Sequence, residues 1–190
     1  MTTDDSTNLT GKILIALPGM DDPRFEKSVV YLCSHSSDET MGLIVNKPAP
    51  GVDLDHLLKT LKIEGEQASS DIRVQFGGPV EQARGFVLHS NDYSTKDGTL
   101  TVDADFSMTA NTEVLEAIAQ GAGPKDAILM LGYSGWGPGQ LENEIAMNGW
   151  LVADASPDVV FRPENPAKWT SALKTLGVDP LVLSATGGRA

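Results

Sequence analysis

The sequence is poor in cysteine and has no long apolar run. Its 190 residues include a single cysteine, Cys33, so no intramolecular disulfide can form and a small secreted scaffold held by disulfides is excluded. No apolar stretch approaches the ~18 residues that a membrane span requires. Residues 1–11 have neither a basic start nor an apolar core, so we expect no signal peptide. These absences predict a cytoplasmic protein.

Positive charge is also scarce. Fourteen Lys and Arg face 26 Asp and Glu, which gives a formal net charge of -12. Proteins that bind duplex DNA usually neutralise phosphates with Lys and Arg, and here those residues are scattered rather than clustered. Direct binding to nucleic acid is therefore disfavoured, and the charge is interpreted as an aid to solubility.

The remaining composition is that of an ordinary globular chain. Hydrophobic residues make up 41% and charged residues 21%, close to the average for soluble domains. Residues 11–184 contain no linker, repeat or change in composition, so we expect one domain over this range. Residues 1–10 are expected to form a disordered tail and residues 185–190 a second tail, and a monomer is favoured.

Short runs rich in β-branched and aromatic residues predict strands at 12–17, 28–35, 41–46, 72–76, 84–89, 99–102, 127–131 and 150–153. They cluster early in the chain, and regular alternation with helices is missing. We therefore predict an α+β fold of a single domain, with a mainly antiparallel, curved and barrel-like sheet surrounded by helices.

Four helices are predicted from apolar spacing and capping residues. The first is capped by Asp53 and repeats leucine at i, i+3, i+4 and i+7, which defines one buried face. Asn111 is the expected cap of the second. The third carries Leu141. The last has Asn165 as its cap, Pro166 as its first residue and Gly177 beyond its end.

A glycine-rich segment, 132–139, is predicted to be a loop between a strand and a helix, where free backbone N–H groups can bind an anion. It is not a dinucleotide fingerprint, because Gln140 stands where the third glycine would be. It is not a nucleophile elbow, because Trp136 replaces the second required glycine after Ser134. A tight structural connection, with Trp136 either packed in the core or exposed for stacking, is an equally good interpretation.

Other polar or turn-forming residues are possible parts of a binding surface. Gln140 and Glu144 lie four apart on the predicted helix and share a polar face. Gly77, Gly78 and Pro79 end a strand, and such a turn is usually structural but can allow a ligand close to the backbone. Asn46 follows another strand and either stops it or binds a carboxylate.

Cys33 and His35 are two apart on a predicted strand, so their side chains are expected to point the same way. Side chains placed in this way could form a thiolate pair or bind a metal. Two ligands do not make a metal site, and the sequence contains only three histidines. A buried Cys33 acting as a small apolar residue is the better interpretation, and no metal or cofactor is expected.

Several motifs together resemble the bacterial YqgE/AlgH family over about residues 11–184. They are Leu17-Pro18-Gly19-Met20 with Asp22-Pro23 and Phe25, Gly42-Leu43-Ile44-Val45-Asn46-Lys47-Pro48, Gly77-Gly78-Pro79-Val80, Gly85-Phe86-Val87-Leu88-His89, and the run from Gly132 to Ile145. The resemblance implies a barrel-like α+β fold in the bacterial cytoplasm, without an established biochemical activity. Some members carry the label of transcriptional regulator. The matching residues are Asn46, Gly77, Gly78, Pro79, Tyr133, Gly135, Trp136, Gly139, Gln140, Glu142 and Glu144.

No catalytic residue is assigned, and an enzyme is the less favoured class. The leading hypothesis is a regulatory or binding protein that docks a protein or peptide through a surface formed by Asn46, the turn 77–80 and the segment 133–144. One alternative is a nucleotide or carboxylate metabolite at the glycine-rich helix start, with weak turnover. Another is direct regulation of DNA, which the net charge of -12 disfavours.

Overall fold

A computed structural model describes residues 8–65 and 72–186. The expected tails therefore lie mostly outside the described residues. Two residues of the first one, however, contact the second strand: the backbone N–H of Leu9 donates to Nδ1 of His35, and Oγ1 of Thr10 accepts from the backbone N–H of His35. The last helix continues to Thr186, past the predicted domain end at residue 184.

The described strands are β1 (Lys12–Ala16), β2 (Val29–His35), β3 (Thr40–Ile44), β4 (Val74–Phe76), β5 (Val80–Ser90), β6 (Thr99–Thr101), β7 (Phe106–Thr109), β8 (Ala127–Trp136) and β9 (Trp150–Asp154). They form one sheet in the order β6-β7-β5-β8-β3-β2-β1-β9, and β4 pairs with β8 beside this path. Only the β4–β8 pair is parallel among these. The sheet curls into a half-barrel, as the sequence predicted.

The helices are α1 (Leu54–Thr60), α2 (Glu113–Ala119), α3 (Gln140–Ala146), α4 (Pro157–Val160), α5 (Asn165–Thr175) and α6 (Pro180–Thr186), with a short 3-10 helix at Pro23–Phe25. The predicted cap of α1 is confirmed, since Oδ1 of Asp53 accepts from the backbone N–H of His56 at 2.7 Å. The left-handed Gly177 after α5 is also confirmed.

Two predicted caps are wrong. Asn111 precedes the true cap position of α2, Thr112, and its amide instead donates to Oγ1 of Thr95 and to the carbonyl of Asp97. Asn165 is the first residue of α5 rather than its cap, because its amide forms a two-bond pair with the buried Gln75. In both cases a partner distant in sequence competes for the side chain.

The predicted strand 127–131 is shorter than the observed β8, which includes most of the segment expected to be a loop. Gly132 has a φ of 75°, and an added Cβ would lie 2.4 Å from the carbonyl oxygen of Gly78. This glycine lets β8 bend, so its first part pairs with β5 and its last three residues pair with β3. β8 therefore joins the two halves of the curved sheet.

Three clusters of buried side chains form the core. Alternate residues of β1 and β2 point to opposite faces: Ile13 and Tyr31 pack in the cluster that α5 covers, whereas Leu14 and Leu32 pack with Trp136, Leu141 and Trp150. The third cluster joins α1 and α2 to β4, β5 and β8. The cluster with two tryptophans lies directly beneath the glycine-rich end of β8.

Candidate functional site

A surface cleft of about 370 Å³ lies where β8 ends and α3 begins. Six residues of the predicted surface line it: Pro79, Val80, Gly135, Trp136, Gln140 and Glu144. The turn after β4 and the glycine-rich segment, which are more than 50 residues apart in sequence, are thus adjacent in space. We call this feature the Trp136 cleft.

Residues that no site prediction included complete the lining of the Trp136 cleft. They are Met20, Asp22, Arg24 and Phe25. All but Arg24 occur in the motifs quoted for the family resemblance, which is the signal that could have identified them. Arg24 is placed there by the 3-10 helix, which Asp22 caps by accepting from the backbone N–H of Arg24.

Glu144 is the polar centre of the aromatic cluster under the cleft. Its Oε2 accepts from Nε1 of Trp136 at 2.9 Å and from Nε1 of Trp150 at 2.8 Å, and its Oε1 accepts from Nε2 of Gln140 at 3.1 Å. The two indole rings meet edge to face at 6.1 Å, and Phe25 packs on both. A buried N–H group needs a partner, so this carboxylate fixes the positions of both tryptophans.

The start of α3 has a fixed hydrogen-bond arrangement. Gly139, with a φ of 69°, precedes the helix, and Oε1 of Gln140 accepts from the backbone N–H of Gly137 at 3.1 Å. A backbone N–H that would otherwise be free for an anion is therefore used by a side chain of the protein. The nearby carboxylate of Glu144 also opposes an anion at this position.

The charged pair at the rim of the cleft is internally neutralised. The guanidinium of Arg24 donates to both carboxylate oxygens of Asp22, with the shortest contact, from Nη2 to Oδ2, at 2.7 Å. Hydrogen bonding from Arg24 lowers the pKa of Asp22, so the carboxyl group stays ionised at neutral pH. Because both partners are bound to each other, this pair is poorly placed to transfer protons.

The other predicted site residues do not line the Trp136 cleft. Asn46 accepts from the backbone N–H of Val29 and donates to the carbonyl of Lys27, so its amide joins two chain segments. Gly77 and Gly78 are buried against β8. Tyr133 packs edge to face on Phe86 in a neighbouring groove that shares Gly135 and Trp136 with the cleft.

Glu142 lies outside the cleft and binds His35. Nδ1 of His35 accepts from the backbone N–H of Leu9, which requires the proton of a neutral ring to be on Nε2, and Nε2 lies 2.8 Å from Oε1 of Glu142. The pKa of Glu142 is lowered first by a hydrogen bond from its own backbone N–H and second by the hydrogen bond with His35. This contact joins α3 to the end of β2.

The expectation that Cys33 and His35 point the same way is wrong. The pairing of β2 with β3 is irregular between Leu32 and Ser34, and a bulge there shifts the alternation of side chains. Cys33 is buried with Tyr31 in the core, as predicted, whereas His35 contacts α3. Burial raises the pKa of the Cys33 thiol to about 12, so it is a neutral apolar residue at physiological pH.

Two kinds of feature are absent from the described residues. In residues 8–65 and 72–186, no group of three or more His, Cys, Asp or Glu side chains is arranged to hold a metal ion. Within the same ranges, every helix is too short or too polar to span a bilayer.

The fold and the cleft define an α+β protein with a curved antiparallel sheet whose central strand ends in an aromatic cleft. The AlgH-like family model matches residues 13–181, so the chain belongs to this family. A relative from Ruegeria pomeroyi named UPF0301 protein is 58% identical over 184 residues, covering 96% of this chain and 100% of the relative. One from Cereibacter sphaeroides is 51% identical over 183 residues, covering 96% and 100%.

Two solved structures have a similar fold. The solution structure of the AlgH protein from Pseudomonas aeruginosa matches with a TM-score of 0.78 and 38% identity, and it covers 100% of both chains. A crystal structure of a protein from Corynebacterium diphtheriae matches with a TM-score of 0.71, covering 95% of this chain and 92% of the other. At 21% identity, the second match shows the fold alone. The family is uncharacterised.

We expect the variant Glu144→Gln to lower the free energy of unfolding by about 1–3 kcal/mol, because the charge-assisted bonds to two indoles become weaker and two amide groups then face each other at Gln140. Urea denaturation followed by tryptophan fluorescence measures the loss. Glu142→Gln is the matched control, since that carboxylate is half exposed. Equal losses in the two variants would contradict the assigned role of Glu144.

Proposed function

We propose that the protein is a non-enzymatic binding protein that docks a protein or peptide in the Trp136 cleft. The observation that carries the proposal is the lining of the cleft, which combines apolar side chains with exposed polar groups. Phe25, Trp136, Pro79 and Val80 supply the apolar part, and exposed Gln140 and Arg24 supply the rim. Trp136 is 5% exposed and forms the floor of the cleft, and Phe25 is half-buried above it. An aromatic centre with a polar edge is the usual composition of a protein-binding surface.

The state of the two carboxylates supports binding rather than catalysis. Asp22 is bonded to Arg24, and Glu144 accepts three hydrogen bonds from protein donors. A general acid or base needs a free position from which it can reach a substrate proton. Neither group has this freedom while the cleft keeps its present geometry.

The net charge of -12 favours a partner segment with basic residues beside its apolar anchor. It also argues against direct regulation of DNA. Several of the basic residues, among them Lys12, Arg24 and Arg162, are already paired with carboxylates. A nucleotide or carboxylate at the start of α3 is likewise disfavoured by the bond between Gln140 and Gly137.

Gln140 offers a direct test of the docking proposal. It is exposed, it lines the Trp136 cleft, and its side chain bonds to Glu144 in the cleft wall. Gln140→Ala therefore removes a polar contact from the rim of the cleft. Asn143→Ala is the matched control, because Asn143 is exposed on the same helix and is not among the cleft residues.

The test begins with selection of peptides from a random displayed library on the wild-type protein. We expect the selected peptides to bind with an apolar anchor and basic flanks, and Gln140→Ala to weaken binding at least fivefold by isothermal titration calorimetry. Asn143→Ala should bind as the wild type does, and both variants should melt cooperatively. Peptides that bind wild type and folded Gln140→Ala equally, or a library that yields none, would refute the proposal.

A further inference from the structure

A second cavity, of about 450 Å³, lies at the opposite end of β8 from the Trp136 cleft. It is bounded by the start of β4, the loop between α2 and β8, and the residue that follows α4. Its lining includes Arg73, Lys125, Asp126, Ile118, Ala127 and Phe161. At about 3.3 Å per residue, the ten residues of β8 separate the two features by roughly 30 Å. We call it the Arg73 cavity.

Arg73 is held in position at the cavity by the protein. Its Nη1 donates to the carbonyl of Pro163 at 2.8 Å, and its Nη2 lies 3.7 Å from a carboxylate oxygen of the exposed Glu164. The side chain is 28% exposed. A guanidinium has five N–H donors, so this anchoring leaves donors available for a ligand. Arg73 is therefore a partly buried and preorganised cation.

Lys125 supplies a second positive charge. Its backbone N–H is bound to Oδ2 of Asp92, which fixes the main chain at this position. Among residues 8–65 and 72–186, its ammonium has no carboxylate partner within 4.0 Å. The lining thus has two cations, Arg73 and Lys125, and one carboxylate, Asp126, which gives it a formal charge of +1. Arg162 lies 3.8 Å from Asp126 but is paired more closely, at 2.6 Å, with Asp158 outside the lining.

This local balance is opposite in sign to the net charge of -12. The positive charge of Arg73 also acts on the buried Lys168. Burial is the larger cause that lowers the pKa of Lys168 to about 7, and repulsion from Arg73 is the second. Apolar side chains form other parts of the wall: Ile118 is 4% exposed, and Phe161 is half-buried beside it. The cavity volume is within the range of small-molecule sites.

From these observations we infer that the Arg73 cavity binds a small organic anion, with its phosphate or carboxylate group between Arg73 and Lys125 and its apolar body against Ile118 and Phe161. The two cations of the lining can provide charge-assisted hydrogen bonds to the anion. The apolar wall favours a ligand that is larger than a free inorganic ion. This inference does not depend on peptide docking in the Trp136 cleft.

Phenyl phosphate is the probe for the test, and calorimetric titration at constant ionic strength is the measurement. We expect saturable binding, weaker binding of inorganic phosphate, and none of phenol, which lacks the anion. Lys125→Gln should weaken the binding of phenyl phosphate at least fivefold, since it removes one of two cations. Lys96→Gln, another exposed lysine outside the cavity, is the matched control and should leave the affinity unchanged.

Two results would overturn the inference: the absence of saturable binding of phenyl phosphate to the wild-type protein, or equal affinities of wild type and Lys125→Gln. Gln140→Ala separates this inference from the docking proposal. It changes the rim of the Trp136 cleft and should bind phenyl phosphate as the wild type does, whatever its effect on peptide binding.

Discussion

The variant Gly78→Ala is expected to lower the free energy of unfolding by more than about 3 kcal/mol, or to prevent folding. The φ of Gly78 is 154°, and an added Cβ would lie 2.2 Å from the backbone C and O of Tyr133 and 2.4 Å from the backbone N of Ser134. These atoms belong to the central strand β8, so they cannot move aside without breaking its pairing with β3 or β5. Urea denaturation measures the loss.

Gly139→Ala is the matched control for this prediction. Gly139 also has a positive φ, 69°, but an added Cβ there meets nothing within 4 Å. The control therefore has only the backbone cost of a left-handed alanine, about 1–2 kcal/mol. If Gly78→Ala is no less stable than Gly139→Ala, the close crossing of the turn and β8 is not what requires glycine at residue 78.

The second large effect concerns Lys168, whose side chain is fully buried and whose Nζ donates to the carbonyl of Val45 at 2.7 Å. Burial lowers the pKa of Lys168 from 10.5 to about 7. Between these values the unfolded chain binds more protons than the folded chain, so this residue makes the protein more stable as the pH rises from 7 towards 10.5. The slope approaches about 1.4 kcal/mol per pH unit.

We expect Lys168→Met to remove this slope. Relative to the variant, the wild type should gain about 2–3 kcal/mol of unfolding free energy between pH 7 and pH 9. The difference between the two proteins isolates Lys168, because other titrating groups are common to both. Urea denaturation at pH 7, 8 and 9 is the measurement. Near pH 7, Lys168→Met loses the hydrogen bond to Val45, which lowers the free energy of unfolding, and removes a buried charge, which raises it. Because these two effects oppose each other, the pH slope is more informative than the free energy at a single pH.

Lys174→Met, an exposed position in the same helix α5, is the control for charge removal. Its pH dependence should match that of the wild type. Parallel stability curves for wild type and Lys168→Met would show that the buried amine does not change protonation on unfolding in this range.

Local sequence signals predicted much of the fold. The leucine spacing and Asp53 identified α1, and the β-branched runs identified most strands. Errors occurred where the signal was short or ambiguous: β7 and α4 have four residues each, and α6 has seven. Residues 132–139 were interpreted as a loop because glycine weakens a strand. Glycine also occurs within strands where another chain segment passes close by, and sequence spacing does not reveal that close approach.

The candidate site was predictable in part. The motifs around Pro79 and around Trp136 to Glu144 indicated residues that meet in the Trp136 cleft. Asn46 and Glu142 also belong to the family motifs but are bound elsewhere, to the start of β2 and to His35. A motif records which residues occur together in a family, and it does not distinguish those that support the fold from those that face a cleft.

The sequence by itself determined the α+β class, the acidic character, the first helix and membership of the AlgH-like family, because composition and local spacing carry that information. Only the tertiary structure decided that Glu144 holds two indoles and that Arg73 and Lys125 line one cavity. Both arrangements depend on β8, which pairs with β3, β4 and β5 across long stretches of chain. The partners of a side chain are chosen by such long-range pairing and by burial, and residue spacing along the chain contains neither.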